Sequence, residues 1–234
     1  MGRPQAIFWD MDGTLTDSEP LWEKATYRMA ALLGRELTPE VRARTVGASF
    51  PETFRICCEW AGFTPAHGDY ERYRDDSFEY VAELYQSEDT VFPGVRALLS
   101  ELQADGVPMF VTTNTARAVA VDVVESIGRS YFVDVICGDD VPVGKPDPAM
   151  YLEAARRAGA HPADCLVLED STTGMRAAVD AGCRTIGLPL DDTVTVPAAA
   201  VAIATLRGED PRARHLDGAT AADLYRWFAE LPTP

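Results

Sequence analysis

Ala6-Ile7-Phe8-Trp9-Asp10-Met11-Asp12-Gly13-Thr14-Leu15-Thr16 runs from four apolar residues into two carboxylates one residue apart. The apolar part, Ala6 to Trp9, reads as a strand, and a strand ending in this way delivers Asp10 and Asp12 to the crevice at the carboxyl edge of an open sheet, where α/β proteins bind ligands. Four further apolar runs, Val107 to Thr112, Phe132 to Ile136, Cys165 to Leu168 and Arg184 to Gly187, each end in polar or Gly residues. They alternate with longer amphipathic stretches, which is the pattern of βαβ units and of a doubly wound parallel sheet.

Working outward from the first strand, about ninety residues precede the second and hold only helical patterns: Leu21 to Leu33, Pro39 to Val46, Pro51 to Trp60 and Tyr70 to Leu84. Pro and Gly break the pattern at Phe92-Pro93-Gly94, ahead of a helix over Val95 to Ala104. The expected division is an α/β core of residues 1–16 and 89–234 with an inserted all-helical cap of residues 17–88. From Pro189 onward the sequence predicts a loop and one helix, Ala221 to Ala229, whose Leu224, Trp227 and Phe228 share a face and pack on the core.

Composition narrows the function classes. The 234 residues hold 37 acidic against 21 basic side chains, a net charge of −16, which repels a nucleic-acid backbone. At 47% hydrophobic the chain has material for a large core. Its longest apolar run falls well short of the roughly 20 residues of a membrane span, and its N-terminus lacks a signal-peptide pattern, so a cytoplasmic location is expected. Cys57, Cys58, Cys137, Cys165 and Cys183 contain no C-x-x-C pair and read as buried reduced thiols. His67, His161 and His215 fall in loop sequence or a polar tail, which gives no support to a zinc site or a histidine triad. With no heptad pattern, a monomer is the default.

The same sheet edge collects further chemistry. D-x-D-G-T arises by chance at about one position in 100,000. Two carboxylates so close repel unless a cation sits between them, and Mg²⁺, bound through one or two carboxylates plus substrate phosphate, meets that need. The second strand ends in Thr112-Thr113-Asn114-Thr115, bringing a hydroxyl and an amide to the rim. After the third comes Gly138-Asp139-Asp140-Val141-Pro142-Val143-Gly144-Lys145-Pro146-Asp147-Pro148, with Lys145 held between Gly and Pro; it reads equally as a phosphate-neutralising ammonium or as a surface lysine. The fourth runs into Glu169-Asp170-Ser171, where Asp170 could also serve as a helix cap.

The ordered set Asp10-x-Asp12-Gly-Thr-Leu, Thr113-Asn114, Gly144-Lys145-Pro146-x-Pro148 and Glu169-Asp170-Ser171-x-x-Gly174 resembles the haloacid dehalogenase-like hydrolase superfamily, in the branch of β-phosphoglucomutases and small sugar-phosphate phosphatases. The resemblance spans about residues 5 to 190 and implies a Rossmann-like core with a small helical cap. It implies Asp10 as nucleophile, Asp12 as general acid and base, Thr113 and Lys145 as phosphate anchors, and a magnesium site of Asp10, the Asp12 backbone carbonyl and Asp170. Glu169 would be a further ligand or a carboxylate behind the ligands. Gly13, Thr14 and Asn114 would border the substrate, and the segment from Gly13 to Ser18 would form part of a hinge whose closure excludes bulk water. These residue types suit the chemistry in their own right. An ionised carboxylate can attack phosphorus, a second can protonate the leaving alkoxide, and fixed positive charge stabilises the transferred group.

Haloacid dehalogenases lack the second aspartate and the metal requirement, so the D-x-D form points to phosphate esters. β-Phosphoglucomutases typically carry a histidine after this motif and a cap arginine that grips a second phosphate. Here the corresponding stretches read Asp17-Ser18-Glu19-Pro20-Leu21-Trp22 and Gly47-Ala48-Ser49-Phe50. Trp22 and Phe50 cannot hold a phosphate by charge; they read as substrate-pocket residues or as part of the cap's own aromatic core. The expected function is Mg²⁺-dependent hydrolysis of a small phosphorylated metabolite, a sugar or polyol phosphate, through an aspartyl-phosphate. A phosphosugar mutase, with Arg44 or Arg55 as substitute phosphate grip, is the alternative, and a non-catalytic metabolite-binding protein the remote one.

Overall fold

In the computed structural model, which describes residues 2–46, 48–208 and 214–233, the strands are β1 (Ala6–Trp9), β2 (Met109–Thr112), β3 (Asp134–Ile136), β4 (Cys165–Glu169), β5 (Arg184–Gly187) and β6 (Val201–Ala202). They form one parallel sheet in the order β3-β2-β1-β4-β5-β6. The chain winds outward from β1 in both directions, so the crevice that a doubly wound sheet opens at its switch point lies at the carboxyl end of β1. β1, β2 and β4 are buried along their whole length, as in a parallel sheet covered on both faces. The α/β expectation holds, and Gly47, quoted above from the cap, lies outside the described residues.

By contact the chain falls into two compact units, Met1–Asp17 with Thr90–Pro234, and Ser18–Asp89. The first carries the sheet with α5 (Val95–Ala104), α6 (Arg117–Ile127), α7 (Ala149–Ala158), α8 (Thr172–Asp180), α9 (Ile203–Arg207) and α10 (Ala221–Glu230). In its core Phe8 of β1 meets Phe110 of β2 edge-on at 5.8 Å, and it stacks on Tyr151 of α7 at 6.5 Å. The second unit is the four helices α1 (Glu19–Leu32), α2 (Pro39–Ala43), α3 (Phe50–Ala61) and α4 (Asp69–Ser87). They close on a core of their own that includes Met29, Leu33, Val41, Phe54, Cys57 and Tyr73.

Where the elements differ from the sequence reading, the backbone gives the reason. β2 starts at Met109 rather than Val107, because Pro108 lends its carbonyl to Ile7 N–H (2.9 Å) but has no N–H to return. β3 starts at Asp134, after a 3₁₀ turn over Arg129–Tyr131. The last stretch contains β6 and α9 besides the expected helix, whose Thr220 and Asp223 form a reciprocal capping box. All five cysteines are free and buried, and burial pushes the Cys57 thiol up to about 11, far from a reactive thiolate. No described helix is long and apolar enough to cross a membrane.

Candidate active site

Asp10 prolongs β1 by one hydrogen bond, its N–H donating to Leu168 O of β4 at 3.0 Å. The chain then makes a single helical turn, with Leu15 N–H and Thr16 N–H both on Met11 O, before Thr16 pairs back with Asp12 and Val91. Gly13 sits in this turn at φ +84°, and a Cβ there would lie 2.2 Å from Asp170 Oδ2, so both the backbone conformation and the close approach require glycine.

Lys145 is a buried residue of this edge, which removes the surface-lysine reading. Asn114 holds its backbone on both sides, Nδ2 donating to Lys145 O (3.2 Å) and Oδ1 accepting from Lys145 N–H (2.9 Å). The clamped segment delivers Nζ to three acceptors: Asp10 Oδ1 at 2.6 Å, Glu169 Oε1 at 2.5 Å and Thr112 O at 2.9 Å. An ammonium has three protons, and all three are used. Glu169, at the end of β4, is fully buried and equally saturated. Its Oε1 also accepts from Tyr151 OH (2.9 Å), and its Oε2 accepts from Ser171 N–H (3.1 Å) and Ser171 Oγ (3.0 Å). Gly174 makes room for this carboxylate, since a Cβ there would lie 1.7 Å from Oε1. Ser171, not Asp170, caps α8, accepting from Gly174 N–H at 3.0 Å.

Asp10, Glu169 and Asp170 each place a carboxylate oxygen within 4.8 Å of the others'. Among the described residues Lys145 is the one ammonium bonded to this group, leaving two negative charges in excess when all three carboxyls are ionised. Burial and then the Glu169 charge drive the Asp10 carboxyl well above the usual range against the pull of Lys145. The same two causes raise Asp170 to about 8. Burial alone would lower Lys145, but the Asp10 and Glu169 carboxylates outweigh it and hold the ammonium charged. An all-oxygen donor set with a surplus of two negative charges fits a hard divalent cation.

The second aspartate stands apart from that cluster. Asp12 Oδ2 accepts from Thr115 Oγ1 at 2.8 Å and lies 3.5 Å from Thr113 Oγ1. Of the other sequence candidates, Asn114 has its amide on the Lys145 backbone, and Thr14 is fully buried with a hydroxyl that has no hydrogen-bond partner. Trp22 and Phe50 belong to the helical unit, where Trp22 packs edge-on to Phe78 and Phe50 against Phe54, Tyr70 and Phe78. Sequence reasoning gave no role to Thr115 or Tyr151; Thr115 lies two residues past a rim threonine, whereas nothing marks Tyr151 off from a core aromatic. His215, read as part of a polar tail, has both ring nitrogens buried and unpartnered, with its ring 4.0 Å from that of Phe92. Burial lowers it to about 4, outweighing the nearby backbone of Gly13 and Thr14, which favours the charged ring without reaching hydrogen-bond geometry.

Comparison with known proteins identifies the family. Residues 4–182 match the family model for haloacid dehalogenase-like hydrolases. The chain is 30% identical over 184 residues to a phosphorylated carbohydrates phosphatase of Thermotoga maritima, covering 78% of this chain and 83% of the relative. It is 34% identical over 189 residues to 6-phosphogluconate phosphatase of Escherichia coli, covering 78% and 81%. Among solved structures, CbbY from Rhodobacter sphaeroides in complex with xylulose-(1,5)bisphosphate superposes with a TM-score of 0.74 at 25% identity, over 85% of this chain and 93% of that one. With the fold shared and a family model matched over most of its length, the chain belongs to the haloacid dehalogenase-like hydrolases.

Proposed function

We propose that the protein is a Mg²⁺-dependent phosphatase of a small phosphomonoester, a sugar or polyol phosphate, acting through an aspartyl-phosphate on Asp10. The observation that carries this reading is the contact of Lys145 Nζ with Asp10 Oδ1 inside a cluster of three carboxylates, which supports Asp10 as a nucleophile held beside a positive charge. Asp10 and Asp170, with the Asp12 backbone carbonyl, are the residues that would hold the ion, and Glu169, already saturated by Lys145, Tyr151 and Ser171, would stand behind them. Bound there, Mg²⁺ would neutralise the cluster and the phosphate charge.

In the first step an Asp10 carboxylate oxygen attacks phosphorus and the ester oxygen leaves with a proton from Asp12. In the second, Asp12 takes a proton from water, whose oxygen attacks the same phosphorus, releasing inorganic phosphate and restoring Asp10. Hydrolysis rather than mutase chemistry is favoured by the helical unit, where Arg55, a candidate grip for a second phosphate, is paired with Glu52 and Glu59. The names of the two phosphatase relatives point to phosphorylated carbohydrates and a sugar-acid phosphate.

The test is phosphate release from a panel of sugar, polyol and nucleotide phosphates with and without Mg²⁺, using Asp10→Asn as the blank, with chromatography following the sugar. Metal-dependent release from a narrow group of sugar or polyol phosphates is expected. Isomer interconversion with little release, or turnover retained in Asp10→Asn, overturns the reading.

A further inference from the structure

We infer that Thr115 positions the Asp12 carboxyl for proton transfer and thereby frees the Thr113 hydroxyl for the phosphate. This rests on the phosphatase reading above and adds to it a division of labour between two hydroxyls on one loop. A threonine hydroxyl has a single proton to give. Thr115 Oγ1 reaches Asp12 Oδ2 at 2.8 Å, a full hydrogen bond, whereas Thr113 Oγ1 is 3.5 Å from the same oxygen, at the margin of one. Thr113 Oγ1 in turn accepts from Thr115 N–H at 3.0 Å, which takes up one lone pair and leaves its proton to turn toward another acceptor. Thr115 thus acts twice, its amide orienting the Thr113 oxygen and its hydroxyl orienting Asp12.

Thr115 Oγ1 holds the Asp12 carboxyl by its Oδ2. Thr115 is itself fixed: its N–H is on Thr113 Oγ1 and its carbonyl accepts from Gly138 N–H at 3.2 Å, in the loop after β3. Asp12 needs such a hold, because it sits in the short turn that continues into Gly13. Thr115 acts through Asp12 and Thr113 and is a positioning residue.

The experiment is single-turnover release of the alcohol from an alkyl phosphate and from p-nitrophenyl phosphate, in wild type, Thr115→Val, Thr115→Ser, Asp12→Ala and the Asp12→Ala/Thr115→Val double variant. Departure of p-nitrophenolate needs little protonation, so loss of a positioned acid falls on the alkyl ester. Thr115→Val is expected to slow alkyl-ester release by about 10- to 100-fold with KM within about twofold, and to slow the aryl ester far less. Thr115→Ser should recover most of that loss, and in the Asp12→Ala background the valine change should do nothing further. Equal losses on both esters, an undiminished valine effect without Asp12, or full alkyl activity in Thr115→Val would each overturn the proposal. Failure of the phosphatase reading shows separately, as turnover that survives Asp10→Asn.

Discussion

Lys145 and Asp170 set opposite demands on the same few ångströms. Removing the ammonium in Lys145→Met leaves Asp10 and Glu169 facing each other without their common counter-charge, and a buried charge stripped of its partner costs about 3–5 kcal/mol. Phosphatase assays of this variant should show kcat down by at least about 100-fold, in the range seen when a charge-stabilising donor is lost. Its melting temperature, lowered at pH 8, should recover on acidification as the carboxyls take up protons. Asp170 predicts how the metal-free protein responds to pH. Its folded pKa of about 8 stands above the ordinary value of 3.8, so the folded state holds the extra proton between those values. The associated stability is present at low pH and is lost as pH rises through 8. Melting curves in chelator should therefore fall from pH 5 to 9. Added Mg²⁺ should raise the melting temperature most at the alkaline end, and Asp170→Asn should abolish that metal effect. Much of this chemistry was legible in the sequence, because Asp10, Lys145, Glu169 and Asp170 end strands or stand between Gly and Pro. The hydroxyls of Tyr151 and Thr115 were not, since a buried phenol on a helix face and a loop threonine gain a role only from the carboxylate each happens to meet.

Among the elements, the strands that build the site were the readable ones, because a short apolar run between polar breaks has few alternatives once helices alternate with it. β6 escaped because two residues, Val201 and Ala202, carry no periodicity, and their pairing with Ile186 and Gly187 is a property of the sheet. His215 shows the same limit in the segment between α9 and α10. Read along the chain it is a polar residue in a tail; in the fold its ring lies on Phe92, and the backbone of Gly13 and Thr14 adjoins it. A histidine held near 4 against 6.5 when free is neutral in the folded state, so its contribution is present above pH 6.5 and is lost as pH falls toward 4. The difference in unfolding free energy between wild type and His215→Phe should shift in favour of the variant across that window, by roughly 3 kcal/mol at most. Subtracting the two proteins removes the opposite trend of the Asp10 and Asp170 carboxyls, which both share. A difference that does not change with pH would mean that the ring takes up its proton as easily when folded.

On the scale of the whole molecule the decisive quantity is the net charge of −16, carried by a protein whose proposed substrate is itself an anion. The summed field opposes the approach of a phosphomonoester, while the cations that would hold it act only at short range, Lys145 from inside a buried cluster. Added salt should therefore help. Raising monovalent salt from about 10 to 150 mM shortens the Debye length from about 30 to 8 Å and screens the distant carboxylates, but it leaves the buried contacts nearly untouched. With Mg²⁺ held at saturation, because screening also weakens metal capture, initial rates should show kcat/KM for a dianionic substrate rising about two- to fivefold while kcat stays flat. An uncharged competitive inhibitor should show no such dependence. A fall in kcat/KM with salt would place the dominant field in a local positive patch around the entrance, and the acidic surplus would then be a solvated surface with no bearing on substrate capture.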